Sequence, residues 1–136
     1  MAIEQVKRRL DALSSMSELK PEEFCEEGGL ADELAQELGE GLKSTQLRKV
    51  FHEFRNIERD VSRLKEEDKD KEFDRHRIAK LMPVIAYTVG RGLIPKGFYE
   101  ILKTCLSRDR LKTNQDFLRA AEFITAVLAF HKFRHG

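Results

Sequence analysis

Apolar residues recur along this chain at intervals of three and four, the spacing that lines one face of an α-helix. Ile3, Val6, Leu10 and Leu13 predict a first helix near residues 2–14. Pro21 suits the first turn of a short helix holding Phe24 and Cys25, which Gly28-Gly29 ends. Leu30, Leu34 and Leu38 follow at steps of four, and Gly39 and Gly41 stop that helix. The next segment has the widest apolar face. With Ser44 as its N-cap, Leu47, Val50, Phe51, Phe54, Ile57, Val61 and Leu64 keep to one side for about five turns. Ile78, Leu81, Met82, Ile85, Ala86 and Val89 mark a further helix ending at Gly90, and Pro83 inside it predicts a kink or a late start. Pro95 opens the next, carrying Phe98, Ile101, Leu102 and Cys105. Thr113 or Asn114 caps the last, which runs through Phe117, Ile124 and Val127. The stretch 66–74, EEDKDKEFD, is almost wholly charged and reads either as a solvated helical extension or as a mobile loop. No segment alternates as a strand would. The pattern predicts an all-α helical bundle of five or six helices with one long central helix, and a core built from the helix at 44–64 onward.

Composition narrows the class. With 136 residues, 40% of them hydrophobic, the chain can bury a core without staples, and 36% charged residues do not make it disordered. Two cysteines, Cys25 and Cys105, exclude a disulfide-rich scaffold and a four-cysteine zinc site. The opening MAIEQVKRRL lacks the apolar core of a signal peptide, and no stretch nears the roughly 20 apolar residues that span a bilayer. The expectation is a soluble, cytoplasmic protein with no membrane partner. Charge is uneven. Residues 1–42 hold 4 Lys/Arg against 11 Asp/Glu, a net of −7, whereas 43–136 hold 21 against 13, a net of +8. The expected organisation is an acidic N-terminal helical segment, 1–41, and a basic helical core domain, 42–136, within one compact domain. A basic module of this kind suits a polyanionic partner.

Catalytic chemistry has little support. No glycine loop follows a strand to cradle phosphate, and no serine or cysteine occupies a nucleophile elbow. Cys25 lies in an acidic segment, which raises a thiol pKa, and Cys105 lies at helical spacing from Leu102 with packing as its role. His131 and His135 are four apart and would share a helical face, but a zinc site needs three or four ligands and no further cysteine or histidine is near them in sequence. The expectation is no enzyme, no metal and no cofactor.

The basic pattern says more. Arg48, His52, Arg55 and Arg59 lie at steps of four, three and four, within roughly 60° of arc on a helix, and Arg63 extends the stripe. Guanidinium forks suit phosphates, so such a line can track a nucleic-acid backbone without reading bases. The same stripe also reads as a solvated face with i, i+4 pairs to acids such as Glu58. A second basic group, Arg91 and Lys96, flanks the turn that leads into the helix after Pro95, whose free backbone N–H groups favour an anion. The tyrosines and phenylalanines mostly fall on core faces, which argues against base stacking.

Three segments together resemble one family. They are Leu42-Lys-Ser-Thr-Gln-Leu-Arg-Lys49, Leu81-Met-Pro-Val-Ile-Ala-Tyr-Thr-Val-Gly-Arg91, and the stretch from Phe117 through Phe123-Ile-Thr-Ala-Val-Leu-Ala-Phe-His-Lys132. Their order and spacing resemble the small subunit of the type III-A CRISPR–Cas effector, the Csm complex, over about residues 40–133. The resemblance implies a helical bundle without catalytic activity, stacked in several copies along a ribonucleoprotein. Its implied partners are CRISPR RNA and target RNA, the other subunits, and further copies of itself as a homodimer or stacked homo-oligomer. It also implies RNA contacts, through sugar and phosphate, by Lys43, Arg48, Lys49, Arg55, Arg59 and Arg91, with Gln46 beside them. The rival reading is a helical adaptor or dimerisation protein that binds no nucleic acid.

Overall fold

The computed structural model describes residues 2–42 and 44–135, with the side chains of 44–50 outside the description. The described residues form seven α-helices: α1 Ala2–Asp11, α2 Pro21–Phe24, α3 Leu30–Leu38, α4 Ser44–Ser62, α5 His76–Gly90, α6 Lys96–Cys105 and α7 Asn114–His135. Six are full helices, and the seventh is the single turn at Pro21–Phe24. Among the described residues the extended backbone amounts to one antiparallel bridge, Glu72 to Thr113. The fold is all-α as the apolar spacing requires. Ser44 as N-cap lies outside the described side chains.

The long helix at the centre is α7. It packs against α2, α3 and α4 and against the short turns Met16–Glu18 and Gly39–Gly41. Its inward residues lie on several sides: Phe117, Ala120, Ala121, Phe123, Ile124, Val127 and His131 are all buried. Nor does the core begin at α4. Val6, Leu10, Leu13, Met16, Leu19, Phe24, Leu34 and Leu38 belong to the same apolar cluster as Phe54, Phe98 and Phe117. The acidic leader supplies apolar positions that α7 cannot do without.

Two of its acids are spent internally as well. Asp32 is fully buried and accepts two 2.7 Å hydrogen bonds from Arg134 Nε and Nη2 on the last turn of α7, with further donation from the Gly28 N–H at 2.8 Å and Gln36 Nε2 at 3.3 Å. The Arg134 guanidinium holds the Asp32 carboxyl well below the usual carboxylate range, against the opposing effect of burial. Glu23 likewise takes Arg9 through both oxygens, at 2.8 and 3.1 Å.

The start of α7 satisfies its unpaired backbone donors completely, as a buried helix end must. The N–H of Asn114 reaches the Lys71 carbonyl (2.9 Å), that of Gln115 the Lys69 carbonyl (2.9 Å), that of Asp116 the Thr113 hydroxyl (3.2 Å) and that of Phe117 the Thr113 carbonyl (3.3 Å). Asp116 Oδ2 in return accepts from the N–H groups of Thr113 and Lys112, each at 3.0 Å, closing a capping box. Its Oδ1 accepts from the Ser17 N–H at 3.0 Å and from the Ser17 hydroxyl. Burial alone would raise this carboxyl; these donors, Ser17 first, hold it below its ordinary value.

That capping decides the fate of 66–74. The segment is a loop with one turn at Glu66–Asp68, because its carbonyls are taken by α7 and its one apolar residue is drawn inward. Phe73 is 6% exposed and stacks on Phe117 with ring centroids 4.6 Å apart and planes 7° apart. Other departures from the apolar spacing have local causes. The first helix stops at Asp11 instead of 14 where Arg110 Nε takes the Leu10 carbonyl (2.9 Å) and Leu13 turns into the core. The helix α5 starts seven residues before Pro83 and runs through it.

Two outcomes follow. Asp32→Asn should lower the thermal midpoint by roughly 5 °C or more at neutral pH. Because the folded carboxyl sits below its unfolded value near 4, the wild-type advantage should be full above about pH 5 and shrink as acid protonates the folded group. Melting curves of both proteins from pH 7 to pH 2 check this. Phe73→Ala should cost about 3 kcal/mol, and hydrogen exchange should then report faster opening of 66–74 and of the first turn of α7.

Candidate nucleic-acid interface

On α4 the apolar face turns inward: Phe51 and Phe54 are each 2% exposed, and Ile57 and Val61 are buried with them. His52, Arg55, Arg59 and Arg63 stand on the exposed side. The acids of α4 are sorted among these cations by a residue of the neighbouring helix. Arg77 of α5 donates from Nη1 to Asp60 Oδ2 (2.8 Å) and from Nε to Glu53 Oε1 (3.2 Å), with Nη2 on the same Glu53 oxygen. Arg77 lowers the pKa of both carboxylates.

Arg59 is left with a 3.8 Å approach to Asp60, an acid already held by Arg77, and Arg55 forms no ion pair among the described residues. Both line an open groove of about 520 Å³ between α4 and α7, together with Glu58, Lys69, Gln115 and Glu122. Burial pushes the Glu58 carboxyl up, Arg55 opposes the rise and Glu122 adds to it. The groove therefore mixes a half-buried Glu58 and an exposed Glu122 with the exposed guanidinium groups of Arg55 and Arg59.

Arg91 is exposed at the end of α5, its N–H bonded to the Tyr87 carbonyl at 3.1 Å, and Gly92 with φ of 77° reverses the chain behind it. It is not part of the α4–α7 groove. The start of α6 is a packing contact: a Cβ on Gly97 would lie 2.9 Å from Ile3 Cδ1, so glycine lets α1 approach. Lys43, Arg48 and Lys49, with Gln46, lie outside the described side chains.

The sequence pattern did not separate cations that work inside the fold from those that face out. Arg110 and Arg119 donate to backbone carbonyls of the leader, Leu10 and Leu19 among them. Arg75 donates from Nε to the Leu106 carbonyl at the end of α6 (2.7 Å) and borders a second cleft, of about 830 Å³, with Arg108 and Lys112. Burial, and then the like charge of Arg108, lower the Arg75 pKa. Tyr87 also departs from expectation: it is 68% exposed, not on the core face. The signal for it was present, since it falls between the apolar positions that define α5.

No group of three or more metal-binding side chains is assembled among the described residues. His131 is buried with Nε2 2.6 Å from the Gly39 carbonyl, and its ring centroid is 4.9 Å from that of His135. No helix among the described residues is long and apolar enough to cross a membrane.

The structure defines an all-helical protein that holds several of its acids in internal ion pairs and leaves a row of arginines on α4 exposed. The family model described as Csm2, Type III-A, matches residues 22–136, and the chain belongs to that family: it is a small, non-catalytic subunit of the type III-A CRISPR effector, the Csm complex. The match begins at residue 22, so it takes in α3 and part of the acidic leader that the resemblance from residue 40 onward left out. Family members partner the other Csm subunits and the CRISPR RNA. No curated protein and no solved structure matches the chain.

The thiols provide a check on the absence of a cysteine nucleophile. Burial pushes the Cys105 thiol up to about 12, whereas Cys25 is exposed and only its direction is upward, from burial and then Glu122. A thiol reagent at pH 8 should modify one cysteine of the native protein, Cys25, and reach Cys105 only on unfolding. Mass mapping of the labelled peptides distinguishes the two.

Proposed function

We propose that this subunit holds guide and target RNA by sequence-independent phosphate contacts within the cytoplasmic effector. Arg55, Arg59 and Arg91, with Lys43, Arg48 and Lys49, are the contacts, and copies of the subunit stack beside the other subunits. The observation that carries the reading is the division of charge on α4. Glu53 and Asp60 are held by Arg77, so these two carboxylates compete less for Arg55 and Arg59, which face solvent with Glu58 of the same helix beside them in the groove. Guanidinium groups in that condition donate paired hydrogen bonds to phosphate oxygens and read no base edge. Leu64 and Phe133, 37% and 67% exposed at the ends of α4 and α7, are apolar side chains left for contacts between subunits.

Complexes assembled with Arg55→Ala, Arg59→Ala or Arg91→Ala test it. Each should weaken RNA binding about equally for unrelated sequences, and the slope of log affinity against log salt should fall by roughly 0.7 to 0.9 per lost phosphate contact. An altered base preference with an unchanged slope would replace phosphate holding by base readout. Unchanged binding in all three would favour a purely protein-binding adaptor.

A further inference from the structure

Residues 75–99 contain no aspartate or glutamate, the longest acid-free run in the chain, and α5 lies within it. Its inward face carries Ile78, Leu81, Ile85 and Thr88. Opposite them stand Lys80, Pro83, Val84, Tyr87 and Arg91, all exposed. At about 100° per residue, Lys80, Tyr87 and Arg91 fall within roughly 40° of arc. Tyr87 and Arg91 are joined by one helical hydrogen bond, so they are successive residues of one surface row, about 6 Å apart along the axis.

Two aromatic side chains are strongly exposed, Tyr87 at 68% and Phe133 at 67%. They differ in company. The Phe133 ring has the Arg134 guanidinium 5.5 Å from its centroid, whereas Tyr87 has no ring, cation or side-chain hydrogen-bond partner among the described residues. The charges around Tyr87 on its own helix are all positive. On α4, which packs beside α5, Glu53 and Asp60 are occupied by Arg77. The apolar strip itself is narrow. Pro83, Val84 and Tyr87 are three side chains, far short of the roughly 20–30 residues each partner brings to a stable protein interface. A lone open ring with only cations along its row matches a ligand that is flat and apolar in one part and anionic in the next.

We propose that Tyr87 is a stacking platform for one unpaired RNA base, with Arg91 on the phosphate that follows or precedes it. Any base presents a π-face to the ring, so the contact adds affinity without sequence preference. The proposal rests on the RNA-holding reading above and extends it from phosphates to a base. It also gives α5 a role distinct from the α4–α7 groove.

The test uses the assembled effector with RNA carrying a single 5-iodouridine, moved one position at a time through guide and target. Irradiation joins that base to an aromatic side chain stacked on it, and peptide mapping locates the joint. Tyr87 should carry a cross-link from at least one unpaired position. Tyr87→Phe should keep it, Tyr87→Leu should lose it by roughly tenfold or more, and Arg91→Ala should reduce it while lowering the salt slope. Tyr87 is exposed enough that neither replacement disturbs the core, which an unchanged melting curve verifies. Absence of any cross-link at Tyr87 would overturn stacking. So would a Tyr87→Leu subunit that fails to enter the complex, because α5 would then be a protein interface. If the slope falls in Arg55→Ala and Arg59→Ala while Tyr87 stays unlinked, stacking alone fails. If Tyr87 is linked and the slope does not move in those variants, phosphate holding on α4 alone fails.

Discussion

The fold depends on burying α7, a helix apolar on most of its sides, and burial of a helix obliges the rest of the chain to satisfy its ends. At the start, two backbone donors and the Asn114 side chain draw in the 66–74 loop, and the Asp116 carboxylate draws in Lys112 and Ser17. At the finish, Arg134 closes on Asp32 and His131 on the Gly39 carbonyl. Both ends are therefore sewn to the acidic leader. Without it, α7 would expose Phe123, whose ring meets Phe24 edge-on at 5.4 Å, and would leave polar groups without partners.

Electrostatics in the chain look like a division into two halves when read in order, −7 followed by +8. In space the halves cancel each other selectively. Arg134 and Arg119 are held by leader groups, Lys7 pairs with Glu100, and Arg77 quiets two acids of α4. Arg55, Arg59 and Arg91 are among the cations that remain outside, with Arg63 and Arg108. Net charge per segment is thus a poor guide to the surface, and the pairing pattern is a better one.

Much of the helical layout was legible because 3.6-residue periodicity is a local signal and α1, α3, α4 and α6 carry it strongly. The family was legible in three separated blocks for the same reason. What escaped was non-local. Asp116 looks like an ordinary first-turn acid until Ser17 is folded against it. Phe73 looks stranded among charges until Phe117 lies beneath it. The reach of the core escaped too: α4 has the cleanest apolar face, yet Val6, Leu10 and Phe24 of the leader belong to the same cluster. Arg55 and Arg59 were legible as an exposed row; that Arg77 disarms their neighbours was not, since that residue sits on another helix.

The contacts that close the leader join residues about a hundred positions apart, as with Ser17 to Asp116 at 99 and Arg134 to Asp32 at 102. During synthesis, α7 leaves the ribosome after every helix that packs on it. Until it does, α2 and α3 lack the helix they pack against most, although α1 already has α3 and α6, and loop closure must precede any reward from the missing contacts. Native structure in this subunit is therefore a late and nearly all-or-none event on the translating chain. A nascent copy has little means of joining an assembly before its own last helix is in place.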